Sequence, residues 1–391
     1  MTPLVGKYLG ACLNGLKDRN NIVRKYNASS IGHLIGIAKE QSIIRLFSKL
    51  SELYFENQSN KGVPHAILAV NKRHQDVLKD YSSSILPLIF FAMHEEITED
   101  NRATVELWKE LWLEVSPGDA GIRMNLDSII PTLEKSLNDS SWLMKAQSAN
   151  AMSTIATRLG TNLGATEREQ LITSLLATVS GRTFQGKERI LQALASLSKD
   201  LKKSENSSHL LIIDAVMKEC RKEEPLYRTH ALKAIGDILE QLNEDRFEEV
   251  YNMIWYLMDK NNLAAVTGDD EDKSLSADER NKRAMVVINL KETVCETLGK
   301  AWPANSPQTQ EKYQLQFVER CVHCLQMNTR PVQLSLLVAL GKFLDRLKIL
   351  DPAEVNSTKP EEKKAKIESD MEKICKDVLS AIVYVAGMFN G

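Results

Sequence analysis

The chain has 391 residues, 43% hydrophobic and 26% charged, with aromatics at 6% and 11 prolines, the make-up of a folded, helix-rich protein rather than a disordered one. Its 50 basic and 52 acidic side chains leave a formal net charge of −2, so no global positive field exists to hold DNA or RNA. The longest apolar runs, such as the one around Ile85 to Met93, reach about half of the roughly 20 residues a membrane-spanning helix needs.

Lys7 interrupts the apolar start, which has no basic region before it and does not read as a secretory signal. Cys12, Cys220, Cys295, Cys321, Cys324 and Cys375 are scattered through helical patterns and read as free thiols of a reducing compartment. A soluble protein of the cytosol or nucleus follows.

Apolar residues recur at helical spacing along nearly the whole chain, and strand-like alternation is hard to find. The helices fall into pairs. First helices are expected over Pro3 to Leu16, Ser42 to Phe55, Ser84 to Met93, Asn125 to Leu137, Glu167 to Val179, Ser208 to Arg221, Arg246 to Met258 and Lys312 to Gln326. Each second helix opens on a turn and an anchor residue, followed by apolar or small residues at +4, +7 and often +10, one face of a helix.

Arg24, Lys145, Lys187 and Arg228 are the clearest anchors; Pro64, Thr104, Lys291 and Gln333 stand at weaker copies. The intervals are 40, 40, 41, 42, 41, 63 and 42 residues. A period near 40 made of two helices is that of HEAT and armadillo arrays, whose hairpins bury their apolar faces only against neighbours. Armadillo units usually add a third short helix, for which the spacing leaves no room. The expected fold is therefore an all-α, HEAT-type α-solenoid of antiparallel helix pairs, about eight of them plus a terminal unpaired helix, as one array over residues 1–391.

Asp18 and Asp139 each lie six residues before a basic anchor, and such acids and bases pair between neighbouring repeats in HEAT arrays; a partial ladder is expected. The long interval contains an acidic run at 267–281, expected to be a disordered insertion, because so polar a segment buries too little surface to order itself. A charged linker is expected at 351–366 and a last helix at 367–389. That helix has no second helix to cover its apolar face, so the array is expected to be a fragment of a longer solenoid.

Three patterns touch on chemistry. Gly181 to Glu188 is one residue short of a phosphate-binding loop, but Glu188 stands where a Ser or Thr would bind magnesium, the preceding segment reads as helix, and Lys187 is a repeat anchor. An inter-helix turn is expected there, with an ATP-binding enzyme as the remote alternative. Cys321, His323 and Cys324 are metal-ligand types without the second cluster that tetrahedral zinc needs. Trp108 and Trp112, one turn apart, read as core. No catalytic residue, cofactor or metal site is expected, and the chain reads as a non-enzyme.

LWLEVSPGDAGIR (Leu111 to Arg123), SWLMKAQSANAMSTIA (Ser141 to Ala156), GRTFQGKE (Gly181 to Glu188) and LGKAWP (Leu298 to Pro303) resemble the C-terminal region of the large HEAT-repeat proteasome adaptor and scaffold protein family. IGHL (Ile31 to Leu34) and AMHE (Ala92 to Glu95) fall in matching order. The resemblance covers essentially the whole chain, although the family's full protein is several times longer. It implies an adaptor that binds the proteasome core and regulatory particles and serves assembly quality control. It also implies a cytoplasmic and nuclear location, peripheral association with endoplasmic reticulum or endosomes, and vesicle, motor or centrosome proteins as further partners. The alternative is another HEAT-repeat scaffold, such as a nuclear transport receptor or phosphatase scaffold.

Overall fold

The computed structural model describes residues 2–56, 61–116, 118–199, 201, 208–258, 276–346 and 361–387. They divide into two compact units, Met1–Leu197 and Ser198–Gly391. Among the described residues all regular structure is helical, and no helix is long and apolar enough to cross a membrane.

The first unit holds α1 (Thr2–Gly15), α2 (Asn21–Leu34), α3 (Glu40–Glu56), α4 (Gly62–Arg73), α5 (Gln75–Asp80), α6 (Ser82–Ala92), α7 (Arg102–Val115), α8 (Gly118–Met124), α9 (Leu126–Leu137), α10 (Trp142–Leu159), α11 (Ala165–Val179) and α12 (Glu188–Ser198). Its first helices stack in one layer, α1 on α3, α3 on α6, α6 on α9 and α9 on α11, while α2, α4 and α7 stack in the other. The second unit holds α13 (Ser208–Glu219), α14 (Pro225–Leu242), α15 (Phe247–Met258), α16 (Ala277–Ala301), α17 (Pro307–Met327), α18 (Arg330–Arg346) and α19 (Glu361–Gly387). There α14, α16 and α18 form the second-helix layer, and α19 packs on α17 and α18. Among the described residues the helices of the two units make eight antiparallel pairs of HEAT type, with α19 following the last pair.

The pairs form where the sequence supplies end caps. Asn20 opens α2 by accepting the Ile22 N–H at 2.9 Å, Ser141 opens α10, and Glu224 with Pro225 at the first helical position opens α14. Between pairs, large apolar side chains fill the layers. Tyr54, Phe91 and Trp108 meet edge to face in the first unit, with Trp108 fully buried and Trp112 nearly so. In the second, Phe247 meets Trp302 edge to face, Trp302 lies tilted against Phe317, and Phe317 stacks on Phe343. Each such ring contributes roughly 1.5–3 kcal/mol by leaving water. The second helices approach closely at glycines: a Cβ on Gly32 would stand 2.6 Å from Ala69 O, and one on Gly299 would stand 2.8 Å from Ala339 Cα.

Three details differ from the sequence reading. Short third helices do exist, α5 and α8, after the second and third pairs; each buries its own apolar residue, Leu78 or Ile122. The expected insertion at 267–281 lies outside the described residues up to 275, and its remainder is helix. Ser276 and Glu279 form a reciprocal capping box that starts α16 fourteen residues before Lys291, so the connector ends at Ser276 rather than Asn281. The expected linker at 351–366 lies outside the described residues up to 360. From Glu361 the good helix formers EEKKAK belong to α19, which begins six residues ahead of the expected start.

Candidate functional site

The first and second helices of each pair leave backbone carbonyls at the connecting turn that need donors. The anchors supply them. Arg24 donates to the carbonyls of Asp18 and Arg19 at 2.7 and 2.8 Å, Lys145 to Leu137 O at 3.0 Å, Lys187 to Gly181 O at 2.9 Å and Arg228 to Lys222 O at 2.5 Å. Gln333 does the same without a charge, reaching Leu325 O at 2.8 Å. Lys291 departs from the pattern: the helical extension carries it away from a tight turn, and its ammonium donates to Asn328 Oδ1 at 3.1 Å.

Asp18 and Asp139 also turn inward. Their carboxylates accept the N–H groups of Asn20 and Ser141, closing the same turns, and among the described residues neither pairs with a base of a neighbouring repeat. A ladder between repeats does exist in the second unit, but on other residues. Arg246 pairs with Asp214, Lys312 with Glu248 at 3.0 Å and Lys373 with Glu319 at 2.6 Å along the first helices. Along the second helices Lys300 meets Asp237 at 2.6 Å, and Glu240 receives both Lys342 at 2.7 Å and Arg346 at 2.6 Å, linking α14 to α18.

Four successive turns of the first unit enclose a cavity of about 770 Å3. Its walls come from the α3–α4 turn (Glu56, Lys61), the α6–α7 turn (Glu95, Glu96, Asp100), the start of α10 with Asp139 before it, and the α11–α12 turn (Gln185, Glu188, Arg189). Six carboxylates against two cations make it acidic. Glu95 accepts from Asn101 Nδ2 at 3.0 Å, and burial pushes its carboxyl above the usual range. Behind it, His94 lies between Phe90 O at 2.7 Å and Thr154 Oγ1 at 2.8 Å; burial lowers its pKa to about 4, so it is neutral at pH 7. Gln147 closes the floor, donating to Tyr54 Oη at 2.9 Å and Phe91 O at 2.8 Å.

The near-phosphate-loop runs along this acidic rim. Gly186 takes φ +91°, the turn links two helices, and the fully buried Lys187 directs its ammonium at Gly181 O. A phosphate approaching here would meet Glu188 and the other carboxylates. Cys321 is buried and Cys324 half-buried, while His323 is exposed on another side of α17, so the three do not converge. Burial raises both thiols, as it does Cys295. Among the described residues no group of three or more His, Cys, Asp or Glu side chains is placed to hold a metal.

Sequence reading missed two residues that shape this region. Arg168 in α11 is buried and donates to Gly160 O and Leu197 O at 2.5 and 2.8 Å. Gln147 bonds residues 56 and 93 positions upstream. A buried-side periodicity that includes an Arg was the available signal for the first; local spacing carries none for the second.

Stacked helix pairs whose turn side chains seal helix ends define the HEAT type of α-helical repeat. A family profile described as "Proteasome adapter and scaffold protein ECM29, HEAT-repeat domain" matches residues 1–55, and another, "ECM29, C-terminal ARM-like repeats", matches residues 195–385. The chain belongs to the ECM29 family.

It is similar to the proteasome-associated protein ECM29 homolog of Drosophila melanogaster, 55% identical over 407 aligned residues that cover 99% of this chain and 21% of that protein. The proteasome adapter and scaffold protein ECM29 of Homo sapiens is 35% identical, covering 90% of this chain and 19% of that protein. The proteasome component ECM29 of Saccharomyces cerevisiae is 26% identical over 58% of this chain. The chain thus spans about a fifth of the length of the first two relatives.

Proposed function

We propose that this chain is part of a scaffold that associates with the proteasome and does no chemistry of its own. The observation that carries the reading is the 55% identity, across nearly the whole chain, to a proteasome-associated relative. The fold agrees in kind: stacked hairpins offer many modest contacts along one surface, which sum to a stable complex. The near-phosphate-loop supports the non-enzymatic half of the proposal, because its lysine is buried against its own turn. With a net charge of −2, a nucleic-acid partner is disfavoured.

On this reading the partners are subunits of the core and regulatory particles, and the bridged complex is the one whose assembly is monitored. A cytoplasmic and nuclear location, with peripheral attachment to endoplasmic reticulum or endosomes through vesicle, motor or centrosome proteins, follows from the same kinship. The test is affinity purification of the tagged chain from cells, with a full-length relative as positive control. Co-purified proteasome subunits are expected. Their absence beside a working control would refute the proposal for this chain.

A further inference from the structure

A groove of about 700 Å3 runs between α1 and α3 in the first unit. Its floor is apolar. Leu9, Leu46 and Leu53 are buried there, and Gly10 leaves open space, with no atom within 4 Å of where a Cβ would stand. Its walls carry Lys7 from α1, Lys17 from the turn that follows α1, and Arg45 and Lys49 from α3, all exposed, and no carboxylate is among the residues that line it. Lys49 pairs with Glu52 on its own helix, whereas Lys7, Lys17 and Arg45 form no ion pair among the described residues.

Such an excess of one sign stands out in a chain whose charges otherwise nearly balance. The lining residues of α3, Gln41 to Leu53, extend about 18 Å at 1.5 Å per residue, long enough for three turns of a bound helix or about five extended residues. Cations on both walls above a leucine floor match a polypeptide that alternates acidic and apolar side chains. A nucleic acid would find no stacking surface on that floor, and a membrane is flat where this groove is concave.

We infer that the α1–α3 groove binds an acidic segment of a partner protein, its carboxylates meeting Lys7, Lys17 and Arg45 and one apolar side chain seated beside Gly10. The inference goes beyond the proteasome reading and does not depend on it, since it concerns the chemistry of the occupant. Opposite charges facing each other steer the encounter and set register, and the apolar floor supplies the contact that salt does not screen.

The test uses the whole chain and a fluorescein-labelled synthetic peptide of glutamate pairs spaced by leucines, read by fluorescence anisotropy. Saturable binding is expected to weaken at least about tenfold in the doubly reversed variant Lys7→Glu/Arg45→Glu, where attraction becomes repulsion. Lys7→Arg/Arg45→Lys and the reversal Lys218→Glu in the second unit are expected to leave it unchanged. Gly10→Trp fills the floor without altering any charge and is expected to block the peptide, with circular dichroism showing that α-helical content is kept. A peptide with glutamine for glutamate is expected to bind at least tenfold more weakly.

Equal binding to wild type and Lys7→Glu/Arg45→Glu, or insensitivity to Gly10→Trp, would overturn the inference. So would tighter binding of a single-stranded oligonucleotide or a phosphatidylserine vesicle than of the peptide. No proteasome enters this assay, so its failure and the failure of proteasome capture are read separately.

Discussion

Lys187 tests the reading of the α11–α12 turn most directly. Its side chain is fully buried and its ammonium holds Gly181 O at 2.9 Å. Lys187→Ala removes a hydrogen bond from a charged donor, worth about 1.5–3 kcal/mol, together with a buried stem at about 0.8 kcal/mol per methylene. Local collapse recovers part of this, so a loss of roughly 2–4 kcal/mol is expected. Lys187→Met keeps most of the stem but loses the same hydrogen bond, and is expected to cost less than Lys187→Ala, about 1–3 kcal/mol.

The assay is thermal and urea unfolding of the whole chain followed by circular dichroism, where each kcal/mol lowers the midpoint of a unit this size by roughly 2–4 °C. A Lys187→Ala cost below about 0.5 kcal/mol, the range of ordinary surface changes, would refute the cap. Magnesium-dependent ATP binding by the wild-type chain that Lys187→Ala abolishes would refute the reading of the turn altogether.

Four further outcomes are expected. His94 has a folded pKa of about 4 against a reference of 6.5, so the unfolded chain binds the extra proton between them and stability is lost as pH falls through that window. His94→Gln should flatten this dependence by on the order of 2–3 kcal/mol in urea titrations, and the difference isolates it from Glu95, whose raised pKa acts in the opposite direction. Gly299→Val should cost more than about 3 kcal/mol, since the added Cβ meets the backbone of α18 rather than a movable side chain; an unchanged melting midpoint would contradict the close approach. Glu240→Gln, which loosens two ion pairs at once, should cost only about 0.5–2 kcal/mol, and the cost should shrink in high salt. In a native thiol titration with an aromatic disulfide reagent, exposed Cys375 should react first and buried Cys220, Cys295 and Cys321 only on unfolding.

The period of the array was readable because the anchor meets a physical need: a turn exposes carbonyls, and at four of the turns a Lys or Arg five to eight residues downstream seals them. The same regularity hid α5 and α8, since six or seven residues are too few to display a 3.6-residue period, and it misplaced the start of α16, where a capping box outweighs a polar composition. The acidic cavity was invisible for a different reason. Its walls come from four turns each about 40 residues apart, and each contributes an unremarkable acid on its own. The segments that carried the family resemblance turn out to mark special geometry rather than chemistry: IGHL and LGKAWP hold the glycines of close helix approach, and GRTFQGKE holds Gly186 and the sealing lysine.

The sealing contacts reach only five to eight positions along the chain, from Arg24 to Arg19 or from Lys145 to Leu137. A hairpin can therefore lock its turn as soon as both of its helices have left the ribosome, before the next hairpin has been made. Folding of such a chain follows synthesis step by step with low contact order, and damage to one anchor delays its own hairpin while leaving the ones already formed as a template.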